Sequence, residues 1–190
     1  MDILAQQLIN GLILGSIYAL IALGYTMVYG ILGLINFAHG EIVMIGAMVC
    51  ITCLNLLLGH AGDTSPLLLV FASVLMAIPV CAALGYSIER IAYRPLRNAP
   101  RLAPLITAIG VSIVLQNMAM IIWGRQYVPF PAIFENAPHQ VFGASITSLQ
   151  ISIIVLATLM MGALWLLVQK TKLGRAMRAT AQSPQVASLM

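Results

Sequence analysis

Asn36-Phe37-Ala38-His39-Gly40-Glu41 is the most polar point of the amino-terminal half of this chain, and it lies between two long apolar runs with Gly30, Gly33 and Gly46 around it. Two kinds of chemistry suit such a segment. A Gly-rich break between apolar helices can leave unwound backbone lining a cavity, where helix ends offer their dipoles to a bound solute. Alternatively it is an interfacial loop, in which Asn36 or Gly40 ends one helix and Glu41 occupies the favourable first turn of the next. Spacing alone leaves both readings standing.

Catalysis would need paired carboxylates, a metal cluster, or a nucleophile with a base at one level of the fold. The patterns H-E-x-x-H and G-x-S-x-G do not occur, and Asp63 and Glu135 fall between apolar runs. Cys50 and Cys53 form a C-x-x-C inside an apolar run, with no second pair to complete a zinc site, so they read as packing residues. No catalytic residue, metal or cofactor is expected, and the chain is not read as an enzyme. There is also no G-x-x-x-x-G-K-[ST], so any work done by ATP must be done by a different subunit.

The elements that must position these residues follow from composition. Of 190 residues, 61% are hydrophobic and only 7% charged, against roughly a quarter charged in an ordinary soluble domain. A mean hydropathy of +1.01 leaves too few charges to cover a surface in water. Most of this surface must therefore face lipid, where every backbone N–H and C=O has to be paired internally, by helices or a closed barrel. The apolar runs are long and do not alternate, which selects helices. The expected fold is all-α: a polytopic membrane helix bundle with about five transmembrane helices, at 8–29, 41–58, 66–88, 105–123 and 149–168, and a Gly-rich break before the second. Residues 1–168 form the membrane region and 169–190 a tail.

Charge orients the bundle. Arg90, Arg94, Arg97 and Arg101 follow the third run, and Lys170, Lys172, Arg175 and Arg178 follow the fifth, while residues 60–65 and 124–148 contain only Arg125. Two passes separate the basic clusters, so they share a side, and the positive-inside rule makes it cytoplasmic. The amino terminus then faces outward. Asp2 and the lack of a basic stretch before the first run speak against a cleaved signal peptide.

Within the runs, Gly11, Gly15 and Ala19 repeat at four-residue spacing, a pattern that lets another helix pack closely. Pro79 falls inside the third run and is expected to kink it. Ser112 and Gln116 share one face of the fourth run, with Thr107 and Asn117 nearby, and either line a solute path or bond a neighbouring helix. The arginines from Arg90 to Arg101 follow a helical stripe, which Pro95 and Pro100 interrupt. The tail, small and basic, reads equally as a docking helix or as one lying on the membrane surface.

Three stretches together, NGLILGSIYALIALGYTMVYGILGLINFAHGE, ERIAYRPLR with RLAPLITAIGVSIVLQN, and GRAMRATAQSPQVASLM, resemble branched-chain amino acid ABC transporter permeases of the LivH type over essentially the whole chain. The resemblance implies a multi-pass permease of the bacterial inner membrane that works with a second permease subunit, cytoplasmic ATPase subunits and a periplasmic solute-binding protein. Relatives handle branched-chain amino acids, other amino acids, amides or urea. It places NFAHGE near the solute path, so Asn36, His39, Gly40 and Glu41, with Gln116, are the path candidates. It makes the tail a coupling loop for the ATPase, carried by Gly174, Arg175, Arg178, Ala179, Ala181 and Ala187. Ser183 and Gln185 depart from the acidic or amide residues common there. The resemblance also implies about three further helices, so a truncated remnant or non-transporting scaffold is the alternative.

Overall fold

The computed structural model describes residues 2–32, 36–60, 64–96, 99–100, 102–131, 133, 138–141 and 144–182. The expected candidates Gly33, Asp63, Arg97, Arg101, Glu135, Ser183, Gln185, Ala187 and Leu189 lie outside those residues. The elements are α1 (Asp2–Leu32), α2 (His39–Leu58), α3 (Pro66–Ile88), a π-helical turn (Glu89–Tyr93), a 3-10 turn (Arg94–Leu96), α4 (Leu102–Trp123), β1 (Pro138–Val141), β2 (Ala144–Thr147), α5 (Ser148–Lys170) and α6 (Lys172–Gln182). Five helices are long and apolar enough to cross a membrane, α3 continuing through its two turns as far as Leu96. The protein is therefore an integral, multi-pass helical membrane protein.

Large apolar side chains stay exposed along these helices, among them Leu75 and Ile121 at 59% and 83%, as lipid-facing surfaces require. Several hydroxyls inside the spans are returned to their own helix: Ser16 Oγ donates to the Ile13 carbonyl at 2.7 Å and Ser73 Oγ to that of Leu69 at 2.8 Å. Each removes a donor that lipid could not satisfy.

The chain forms two units, residues 1–35 with 134–190, and residues 36–133. In the first, α1 contacts α5 and α6. Its small feature absent from the sequence reading is an antiparallel hairpin, in which Pro138 pairs with Thr147 and Val141 with Ala144. The side-chain amide of Gln6 clamps it, donating to the Ser145 carbonyl at 3.1 Å and accepting from the Ser145 N–H at 2.9 Å. Directly after the hairpin, Thr147 and Gln150 form a capping box that starts α5.

In the second unit, α2 and α3 pack against each other, and fully buried Ala38, with Ile45, Ile88 and Leu115, makes the core. Gly46 permits the approach, since a Cβ there would stand 2.8 Å from Cys81 Sγ. α3 runs unbroken past Pro79. It gives way to the π turn where Pro95 follows: Pro95 has no N–H and its ring crowds the carbonyl four residues back, while the Arg94 N–H reaches five residues back to the Glu89 carbonyl.

Of the glycines around the expected break before α2, Gly33 lies outside the described residues. Gly30 is inside α1, and Gly40 and Gly46 are inside α2, so among the described residues the break reduces to Asn36–Ala38. Membrane helices tolerate Gly because neighbours supply the stability that propensity does not.

Candidate functional site

Asn36 organises the turn that opens α2. Its Oδ1 accepts from the Ala38 N–H at 3.0 Å, and its carbonyl accepts from the His39 N–H at 3.1 Å. The same Oδ1 accepts from the Tyr93 hydroxyl at 2.6 Å. That partner comes from the π turn, which re-aims side chains by inserting a residue into the helical register. Half-buried His39 and Gly40 occupy the first positions of α2, followed by Glu41.

Glu41 reaches across to α4. Its Oε1 accepts from Ser112 Oγ at 2.9 Å and from Gln116 Nε2 at 2.7 Å. Two charge-assisted bonds to one oxygen hold the carboxylate against the helix. Farther along the same pair, Trp123 Nε1 donates to Thr52 Oγ1 at 2.9 Å. Glu41 to Thr52 and Ser112 to Trp123 are both eleven residues apart, so the two helices run parallel and in step.

The level of this cluster follows from helix geometry. Ser112 is ten residues in from Leu102, about 15 Å at the α-helical rise, and Gln116 is seven residues short of Trp123. The cluster therefore sits near the middle of α4. On the other flank, Cys81, in the middle of the Pro66–Leu96 span, donates its thiol to the Ile42 carbonyl at 3.8 Å. The opening turn of α2 thus lies at mid-span depth in its unit, with a helix start and polar side chains where ordinary spans are apolar. Ionisable groups at such depth are expensive and mark functional paths.

The path candidates Asn36, His39, Gly40, Glu41 and Gln116 all lie in the second unit, and hydrogen bonds join Glu41 to Gln116 directly. Ser112, noted in the sequence for its face, joins them. Tyr93, Thr52 and Trp123 were not singled out; the π turn after α3 was the missing signal for Tyr93.

The coupling candidates Gly174, Arg175, Arg178, Ala179 and Ala181 lie on α6 in the first unit, and Ala187 is outside the described residues. Thr171 separates α5 from α6: its Oγ1 donates to the Leu167 carbonyl at 2.5 Å and accepts from the Gly174 N–H at 3.1 Å. Gly174 is buried so closely that a Cβ would fall on the carbonyl oxygens of Leu167 and Val168. The Arg178 guanidinium donates to that same Val168 carbonyl, satisfying one of the orphan acceptors at the α5 end. Ala179 is half-buried, and Arg175 and Ala181 are exposed. Gly11, Gly15 and Ala19 are exposed, and nothing lies within 4 Å of a Cβ built at Gly11 or Gly15. The close packing expected there is therefore not made by the described residues.

Lipid-spanning helices, a polar cluster at mid-span in the second unit and, in the first, a short amphipathic helix folded back on the end of α5 define a multi-pass membrane protein. The chain belongs to the family described as branched-chain amino acid transport system, permease component, whose model matches residues 7–190. It is 48% identical over 189 residues to the high-affinity branched-chain amino acid transport system permease protein LivH of Salmonella typhimurium, covering 97% of this chain and 61% of that protein. It is 47% identical over 191 residues to BraD of Pseudomonas aeruginosa, named with the same transport system, at 97% and 61% coverage. A more distant relative, a probable branched-chain amino acid transport permease protein LivH of Methanocaldococcus jannaschii, is 30% identical over 190 residues, covering 100% and 59%. The chain spans about three fifths of the length of these curated relatives. No solved structure matches it.

Proposed function

We propose that this chain is a transmembrane permease subunit of an ATP-binding-cassette importer, carrying branched-chain or related amino acids across the bacterial inner membrane. The family match over residues 7–190 carries this reading and favours transport over a passive scaffold. In this reading the chain catalyses no reaction and holds no cofactor; ATP is consumed by cytoplasmic partner subunits. A second permease subunit completes the path and a periplasmic binding protein delivers the solute. The amino terminus faces the periplasm, and α6 faces the cytoplasm, on the side of both basic clusters.

The cluster of Asn36, His39, Gly40, Glu41 and Gln116 lines the path. Gly174, Arg175, Arg178, Ala179, Ala181 and Ala187 belong to the segment that docks on the ATPase. Because Gly174 and Arg178 tie α6 to the last carbonyls of α5, movement of α6 by the ATPase is passed to α5 as one piece, and access alternates between the two sides. Deleting the gene and all its paralogues tests the reading: uptake of labelled leucine should fall to background and return on complementation. Normal uptake after deletion would refute it.

A further inference from the structure

Resting on that reading, we propose that Glu41 is the cation subsite of the path: Oε2 of its carboxylate accepts the α-ammonium group of a zwitterionic amino acid at the middle depth of the membrane. A carboxylate offers about four acceptor positions. Both observed donors, Ser112 Oγ and Gln116 Nε2, use Oε1. Both of these donors are neutral, so neither cancels the charge of the carboxylate.

The setting makes this arrangement informative. At the level of mid-α4 the surroundings are of low dielectric, and an anion without a cation is costly there. Two neutral donors offset part of that cost and orient the carboxylate without cancelling its charge. A resident Arg or Lys would cancel it and would have to be displaced by each arriving solute. Neutral donors gathered on one oxygen of the carboxylate suit a site that takes up a cation and releases it. Gln116 is exposed and Glu41 and Ser112 are half-exposed, so the cluster is open on one side. Met48, half-buried and about two turns along α2 on the same face as Glu41, is an apolar neighbour for a branched aliphatic side chain.

The test is equilibrium binding of labelled leucine to the purified permease–ATPase assembly in nanodiscs, without binding protein, for wild type, E41Q and E41D. E41Q keeps an oxygen to accept from Ser112 and Gln116 but removes the charge. Leucine affinity should fall at least about tenfold in E41Q and less in E41D, as loss of a charge-assisted bond implies. On the wild type, isopentylamine, which keeps the ammonium and lacks the carboxylate, should displace leucine, and isocaproate, which lacks the ammonium, should not. Leucine affinity in E41Q within twofold of wild type overturns the subsite while leaving the permease reading intact. No leucine binding by wild type overturns the subsite, and the permease reading is then decided by the uptake test alone. Should E41Q fail to assemble, as it would if a partner subunit supplied the cation, the competitor series decides: displacement by isocaproate and not isopentylamine overturns the proposal.

Discussion

The side-chain amide of Gln116 donates to Glu41 Oε1 at 2.7 Å across 75 residues of sequence, joining the first turn of α2 to the middle of α4. Ser112 shares that oxygen at 2.9 Å, so neither donor acts alone. Replacing one leaves the carboxylate a partner; replacing both leaves it without any described donor. Ser112→Ala and Gln116→Leu should each cost about 1 kcal/mol of stability, and the double variant more than their sum by a similar amount. Denaturation of the four proteins of this cycle in detergent measures the coupling. Additivity within about 0.3 kcal/mol would show that the two donors do not hold a common carboxylate.

A second prediction concerns the seam between α2 and α3. A Cβ at Gly46 would approach Cys81 Sγ to 2.8 Å, so Gly46→Val should lower stability by about 1–3 kcal/mol through overpacking. Cys81→Ala, which removes the clashing sulfur, should restore part of the loss in the double variant. Melting temperatures of the single and double variants check this, and equal destabilisation with and without the sulfur would place the strain elsewhere.

At the joint between α5 and α6 the order of effects should be Gly174→Ala above Thr171→Ala. A methyl at Gly174 meets two backbone carbonyls that cannot swing away, whereas Thr171→Ala removes the hydroxyl that bonds both helices, worth about 1 kcal/mol as a cap. Copurification of the ATPase subunits and ATP hydrolysis by the assembly are the readouts. Gly174→Ala should abolish coupling and Thr171→Ala should weaken it. Full coupling in Gly174→Ala would mean that α6 does not need its close seat on α5.

Orientation gives a fourth expectation. With Cys50, Cys53 and Cys81, the three cysteines, replaced by Ala or Ser, a single cysteine at Tyr127, which is 90% exposed, should react with a membrane-impermeant maleimide on intact spheroplasts. Arg175→Cys should react only after permeabilisation. The reverse pattern would invert the assigned topology.

Much of the fold was legible because each span announces itself: twenty or so apolar residues at 1.5 Å apiece match the hydrocarbon core, and only end positions shifted, as where α1 begins at Asp2 and α4 at Leu102. Isolated polar residues inside spans were also readable, which brought Ser112, Gln116 and Glu41 forward. Their partnership was not, because the donors lie 71 and 75 residues from the acceptor and nothing in the local pattern encodes which helices pair. Tyr93 was hidden by the change to π geometry after Ile88, which a fixed 3.6-residue period cannot anticipate. The hairpin was missed because its strands are four residues each and its clamp, Gln6, lies 139 residues away from Ser145. Gly30 and Gly46, which flank the polar segment, and Gly40 within it are held inside helices, where membrane proteins accept glycine.

The central claim is that this chain forms part of the path of an ATP-driven amino acid importer, and reconstitution tests it most directly. The gene product is purified with its partner subunits, placed in proteoliposomes with ATP inside, and supplied with binding protein and labelled leucine outside. The account predicts leucine accumulation that requires ATP and is lost when the chain is left out. Accumulation that proceeds equally without the chain, or without ATP, would contradict it.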